Sequence, residues 1–146
     1  MYTGLLHLHH WLPFVYLLLM LAVLVQNFLV WKGQKAFTSK LARQNKIALI
    51  LTHVQATVGI VMLAMLISKG VFTDMGSVMG VSELRFKYIE HPLTMLIAAV
   101  LITVGNAKAK RANTDQEKGR QTLLWFGLGL LLIVIRLPWE AFLAGA

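Results

Sequence analysis

Cysteine is absent from this 146-residue chain. Without a thiol, the chain can form neither a disulfide bond nor a thiolate metal site. It can also hold neither an iron–sulfur cluster nor a covalently attached c-type haem. A haem that is bound without a covalent link needs no cysteine, so this absence leaves b-type haem as a possible cofactor.

Charged residues are also scarce. They make up 14% of the chain, whereas hydrophobic residues make up 58% and the mean hydropathy is +0.68. A soluble domain of this size needs a polar shell, which this composition cannot supply. The composition therefore predicts an integral membrane protein.

Four apolar stretches approach or reach the length of about 20 residues that crosses a bilayer core. We expect one transmembrane domain over residues 1–146, with helices at about residues 5–31, 47–68, 92–107 and 122–137. These stretches lack the strict alternation of apolar and polar residues that is typical of transmembrane β-barrel strands. The helix is the other structure that satisfies every backbone hydrogen bond in lipid. Since two connections are short, the expected fold is an all-α, up-down-up-down four-helix bundle.

The net charge of +8 is concentrated in two loops. Ten of the fourteen basic residues lie between helices one and two or between helices three and four. Short basic loops mark the cytoplasmic face, whereas the loop at residues 69–91 balances three basic against three acidic residues. We therefore expect a multi-pass membrane protein with both termini outside. Its basic loops should lie against anionic lipid rather than bind nucleic acid.

The histidines are the main candidates for chemistry, because an ionisable side chain inside a membrane is costly and is a functional hypothesis by default. His9 continues into the most polar face of helix one, whereas His10 continues into an apolar face that suits lipid. His7 is the second candidate on that helix. His91 begins helix three on a face with small residues beside it.

Several polar groups are expected to meet these histidines in one outer pocket. The expected members are His7, His9, Arg85, Glu90, His91, Arg136 and Glu140. Two histidines on different helices suit the axial ligation of a b-type haem, and arginine suits its propionates. We therefore predict His9 and His91 as the iron ligands, with His7 as the competitor on helix one.

Two other interpretations of the outer pocket stay open. One is a transition-metal site built from several histidines and a carboxylate. The other is purely structural, with interfacial side chains that extend to water and an ion pair between Arg136 and Glu140, four residues apart.

His53 is a separate case. Counting 1.5 Å per residue along the helices places it about 20 Å from His91, so the two cannot share one iron. We expect His53, Gln55 and Asn106 to form a hydrogen-bonded cluster that holds helices together. Proton relay or quinone binding is the alternative role for His53.

The sequence resembles a family of small bacterial four-helix membrane proteins described as cytochrome b-like. The resemblance covers nearly the whole chain and lies in TGLLHLH (3–9), THVQ (52–55), RF (85–86), EH (90–91), residues 95–105 and LPW (137–139). It implies that His7, His9, His53 and His91 are the histidines of the family, and that His10 is not. It also implies a location in the bacterial inner membrane. More distantly, the layout is similar to other haem-binding four-helix membrane families, including bacterial protoporphyrinogen oxidase.

Two classes of function follow from these observations. The first is a haem b-binding protein in electron transfer, such as a cytochrome b-like respiratory component with a quinone or another redox partner. The second is a non-catalytic accessory subunit of a larger membrane complex, or a homo-oligomer. No motif identifies an enzyme. A transporter is less favoured, because no pair of broken helices is evident.

Overall fold

The computed structural model describes residues 1–144, and this part of the chain is all-helical. It contains, in chain order, α1 (Tyr2–Trp31), α2 (Ser39–Ile67), α3 (Met75–Gly80), α4 (Ser82–Arg85), a π-helical segment (Phe86–Glu90), α5 (His91–Arg111), α6 (Asp115–Ile135) and α7 (Trp139–Leu143). Four helices in this described part are long and apolar enough to cross a membrane: α1, α2, α6, and the continuous run formed by α4, the π-helical segment and α5.

Two of the long helices begin earlier than their apolar stretches. The second helix begins at Ser39 rather than near residue 47, and α6 begins at Asp115 rather than near residue 122. The side chains of Thr38 and Thr114 cap these helices, each accepting a backbone N–H from three residues further on. Hydropathy marks only the part of a helix that suits lipid, whereas the capping residue sets where the helix begins.

The four long helices contact one another in a closed ring, in which α1 contacts α2 and α6, and α5 contacts the same two helices. Between α1 and α2, Asn27 is hydrogen-bonded to Asn45, and Tyr16 is hydrogen-bonded to Thr52. Tyr16 precedes Asn27 in α1, whereas its partner Thr52 follows Asn45 in α2. The two helices are antiparallel.

The core lies between these helices at mid-height. Its fully buried members include Met20, Ile102 and Phe126. Two glycines of α6 permit the close packing, since a Cβ at Gly129 would lie 2.6 Å from Cγ1 of Ile102, and a Cβ at Gly119 would lie 2.7 Å from the Asn27 carbonyl oxygen. Small residues at such contacts let membrane helices approach closely.

The two basic loops lie at the same end of the molecule, which we call the basic end. The backbone N–H of Phe37, in the loop after α1, donates a 2.9 Å hydrogen bond to Oδ2 of Asp115, at the start of α6. Nearby, Asn27 and Asn45 are hydrogen-bonded to each other inside the core. The opposite end carries His9, His91 and Arg136, and we call it the histidine end.

The connection from α2 to α5 contains the short helix α3. Asp74 caps it, because both the hydroxyl and the backbone N–H of Ser77 donate to the Asp74 carboxylate. These hydrogen bonds hold the pKa of Asp74 below its ordinary value. The chain then continues through α4 and the π-helical segment directly into α5.

Candidate functional site

His9 and His91 meet at the histidine end. Their ring centroids are 6.3 Å apart and the ring planes are nearly perpendicular, at 84°. One ring comes from the second turn of α1 and the other from the first residue of α5. Both residues are half-buried, whereas His7 is exposed to the surroundings. The structure therefore pairs His91 with His9, as the rotation of helix one predicts, and leaves His7 outside this pair.

The ring of His91 is fixed by a backbone carbonyl. Its Nδ1 lies 2.8 Å from the carbonyl oxygen of Arg136, at the end of α6. Because a carbonyl can only accept, Nδ1 carries the proton and donates, which leaves Nε2 of the neutral ring with a free lone pair. A hydrogen bond from the other ring nitrogen is the usual way in which a ligating histidine is oriented.

His9 lies against α2 because Gly59 has no side chain. A Cβ at Gly59 would come within 3.1 Å of Cε1 of His9. Nδ1 of His9 is buried and has no hydrogen-bond partner within residues 1–144. A buried polar atom without a partner is rare in proteins, and it points to a group that the protein atoms do not supply.

The backbone at His9 is held by an unusual contact. Pro13 lies four residues further along α1 and has no N–H to donate to the His9 carbonyl. Instead, Nε2 of Gln55 donates a 2.8 Å hydrogen bond to that oxygen. Proline thus frees a carbonyl on the helix, and α2 satisfies it with a side chain. This contact fixes His9 relative to α2.

Glu90 joins two arginines beside His91. Its Oε1 accepts from Nε of Arg85 at 3.0 Å, and its Oε2 accepts from Nη1 of Arg136 at 3.2 Å. The backbone N–H of His91 donates to the Phe86 carbonyl, five residues back, which is the π-helical pattern. This wider turn brings Arg85 and Glu90, which are also five residues apart, onto one face. The cluster carries one negative and two positive charges, leaving a net charge of +1.

One interpretation that the sequence left open, an ion pair between Arg136 and Glu140, is wrong. Arg136 pairs with Glu90 and not with Glu140, because α6 ends at Ile135 and Pro138 precedes a new helix. A spacing of four residues therefore does not place Arg136 and Glu140 on one helical face. Within residues 1–144, Glu140 is exposed and forms no ion pair.

His10 does not face lipid as expected. It is only 9% exposed, and its ring lies 6.2 Å from the ring of Phe142 and 5.8 Å from that of Phe14. Phe142 belongs to α7, which folds back onto α1 after Pro138. The periodicity of α1 cannot predict that Phe142 packs on His10, because Phe142 belongs to a helix near the other end of the chain.

The expected cluster of His53, Gln55 and Asn106 does not form. Nε2 of His53 lies 3.0 Å from the hydroxyl of Thr103, whereas Gln55 belongs to the His9 contact. Residues two apart on a helix point in nearly opposite directions, so His53 and Gln55 cannot share a face. Asn106 lies nearer the basic end, in a groove with Lys46. The prediction that His53 is remote from His91 agrees with these contacts.

The residues at the histidine end fit a group that is held by two imidazoles. Within residues 1–144, no group of three or more His, Cys, Asp or Glu side chains is arranged to hold a metal ion. Metal–imidazole bonds are about 2 Å long. Two rings with centroids 6.3 Å apart are therefore at a distance from which both can bind one ion. The unpartnered Nδ1 of His9 and the carbonyl-oriented ring of His91 are the parts of these two residues that would hold such a group.

Comparisons with known proteins add no further assignment, since no family model, no curated protein and no solved structure matches the chain.

Proposed function

We propose that this chain is a four-span protein of the bacterial inner membrane that binds one haem b between His9 and His91 and serves electron transfer. The four long helices form the up-down-up-down bundle, the basic end faces the cytoplasm, and both termini lie outside. The observation that carries the proposal is the pair of imidazoles from two helices, 6.3 Å apart, at one end of an otherwise apolar molecule.

Each residue at the histidine end has a separate task in this proposal. His91 supplies Nε2 as a ligand, because Arg136 holds its Nδ1 through the backbone carbonyl. His9 supplies the second nitrogen, and Gly59 leaves space for its ring. Arg85 and Arg136 are both partly exposed, with side chains 37% and 43% accessible, so they can also bind propionate groups.

When bound, a bis-histidine haem supplies one-electron transfer, while the protein sets access and electrostatics. The net positive charge of Glu90 with its two arginines favours the propionates, and it compensates charge that would otherwise be costly near lipid. His9 and His91 lie near the starts of α1 and α5, and this position keeps the site close to the membrane surface. An electron donor or acceptor, such as a quinone in the bilayer or another membrane subunit, can therefore approach it.

The test is the absorption spectrum of protein purified from haem-sufficient cells and reduced with dithionite. We expect the sharp α band of a low-spin, six-coordinate b haem. His91→Ala and His9→Ala should abolish or convert this band, because each removes one axial ligand. His7→Ala is the matched control, and the band should persist in this variant since His7 is exposed and outside the pair. Folded protein with no Soret absorbance and no bound iron would disprove the cofactor proposal.

A non-catalytic accessory subunit is the second candidate, and one observation favours it. Every contact that places the two histidines also ties helices together, including Gln55 to His9, His91 to Arg136, and Arg136 to Glu90. The same network can hold the bundle together without a cofactor. This candidate leads if the purified protein has no haem.

A further inference from the structure

A cationic groove lies at the basic end, between α2, α5 and the start of α6. It has a volume of about 420 Å³. Four basic side chains from these three helices line it, namely Arg43, Lys46, Lys110 and Lys118. The amides of Asn45 and Asn106 add polar groups to the same wall. The groove therefore collects positive charge and hydrogen-bond donors at the level where a helix leaves the membrane.

Most of this charge is not compensated by the protein. Lys118 is 3.9 Å from Oδ1 of Asp115, the longest ion pair in residues 1–144. Arg43, Lys46 and Lys110 form no ion pair within the same described range. Four positive charges thus face one carboxylate, which leaves a net charge of about +3 available to an anion.

A mainly apolar strip lies on α2 beside the groove. It begins at Ile50, one helical turn beyond Lys46 and so on the same face of the helix. It runs along Val54 and Val58, with His53 and Thr57 at its sides. Nine residues of helix cover about 12 Å, which is the length of a substantial part of an acyl chain. In the most apolar stretch of α2 only 11% of residues are buried, compared with 28% in α1 and in α6. On this strip Ile50 and Val54 are exposed, and Val58 is half-buried.

We propose that the groove binds the phosphate of an anionic phospholipid, with an acyl chain lying along the α2 strip. A phosphate carries the charge that the four basic side chains lack, and the chain covers apolar surface that starts at the edge of the groove. Basic pockets between helices on the cytoplasmic side are known to favour such head groups. This inference rests on the proposed membrane insertion and orientation, and it does not require the haem.

The experiment measures lipid binding to the full chain in a neutral detergent by native mass spectrometry, with dioleoyl phosphatidylglycerol and dioleoyl phosphatidylcholine as probes. We expect the anionic lipid to bind at least tenfold more tightly. The double variant Lys46→Gln/Lys110→Gln should lose about 25-fold in affinity for it, at roughly fivefold for each charge near the surface. The matched control Lys40→Gln/Arg111→Gln removes the same charge from exposed positions outside the groove, and it should lose less than twofold.

Three results would overturn the lipid site. Equal losses in the groove and control variants would show diffuse attraction to charge. Equal affinity for the two lipids would show that the head group is not recognised. Displacement of the bound lipid by millimolar inorganic phosphate would identify a site for a soluble anion instead.

The absorption spectrum is recorded on the same samples, so that the two proposals fail separately. Loss of lipid preference with the Soret band intact removes the lipid site alone. Lipid preference without a Soret band removes the haem alone.

Discussion

The two ends of the long helices are held together by different kinds of polar contact. At the basic end, Asn27 and Asn45 are buried and satisfy each other, and Asn27 also donates to a carbonyl of its own helix. Within residues 1–144, buried polar atoms of three residues at the histidine end, His9, His10 and Gln55, have no partner, compared with one residue, Gln44, near the basic end. Satisfied amides suit a structural joint, whereas unpartnered nitrogen and oxygen atoms suit a place where something else binds.

The charges show the same contrast. Arg85, Glu90 and Arg136 form a linked cluster at the histidine end, so the arginines there are already oriented. The arginine and lysines that line the groove at the basic end are mostly unpaired. The histidine end therefore has paired charges beside two imidazoles. The basic end has mostly unpaired positive charges beside the hydrogen-bonded amides of Asn27 and Asn45, a contact that we call the joint. The following predictions test whether the joint is rigid and whether the histidine end is adjustable.

The largest effect is expected at the joint, for Gly119→Ala. The added Cβ would lie 2.7 Å from the Asn27 carbonyl oxygen and 2.9 Å from the Trp31 backbone nitrogen, and neither atom belongs to a flexible side chain. We expect a loss of about 2–3 kcal/mol in the free energy of unfolding, as for overpacked cores. Gly127→Ala is the control, since nothing lies within 4 Å of its Cβ, and it should change stability by less than about 1 kcal/mol. Reversible unfolding in mixed micelles, followed by circular dichroism, measures both. Equal effects would mean that α1 and α6 are not packed as described.

An intermediate effect is expected for Gln55→Leu, which leaves the His9 carbonyl without a donor. The cost should be about 1 kcal/mol in the unfolding free energy. In a Pro13→Ala background the same change should cost close to zero, because the substitution returns a backbone N–H that can donate to the His9 carbonyl. A double-mutant cycle on these two positions therefore has a coupling energy of about 1 kcal/mol. Additive losses would contradict the assignment of Gln55 as the replacement donor.

The smallest effect is expected for Glu90→Gln. Its carboxylate and the two arginines are each about one-third to two-fifths exposed, so solvent screens the pairs. We expect a loss of about 0.5–1 kcal/mol at low salt, shrinking as ionic strength rises. Glu140→Gln should leave the free energy of unfolding unchanged at every ionic strength, because Glu140 forms no ion pair in the described part of the chain. A larger loss for Glu140→Gln than for Glu90→Gln would restore the i,i+4 pair with Arg136, which the sequence left open.

The long helices were predictable because each contains an apolar stretch of sufficient length, although their ends were not. Thr38 and Thr114 begin their helices seven or eight residues before the apolar stretch, and hydropathy cannot detect a cap. The choice of His9 over His7 followed from helical rotation, and the contact with His91 agrees with it. The haem and the membrane orientation stay predictions.

Contacts between distant parts of the chain were not predictable. His10 is covered by Phe142, Gln55 serves a carbonyl freed by Pro13, and Glu90 draws Arg136 away from Glu140. Each of these depends on how two separate helices meet. From a single sequence, each residue can be assigned to a face of its own helix. The sequence does not show which other helix packs against that face.

The π-helical segment inserts one extra residue into the helix at the histidine end. It lies between Arg85 and His91, and it holds one more residue than α-helical winding from Phe86 would need. Loss of a single residue between Phe86 and Ile89 would restore ordinary winding and leave Arg85 and Glu90 four residues apart, which on an α-helix is again one face. The rest of α5 would keep its packing against α6. A one-residue deletion there would thus keep Glu90 beside Arg85, so the length of this segment can change by one residue without loss of the ion pair.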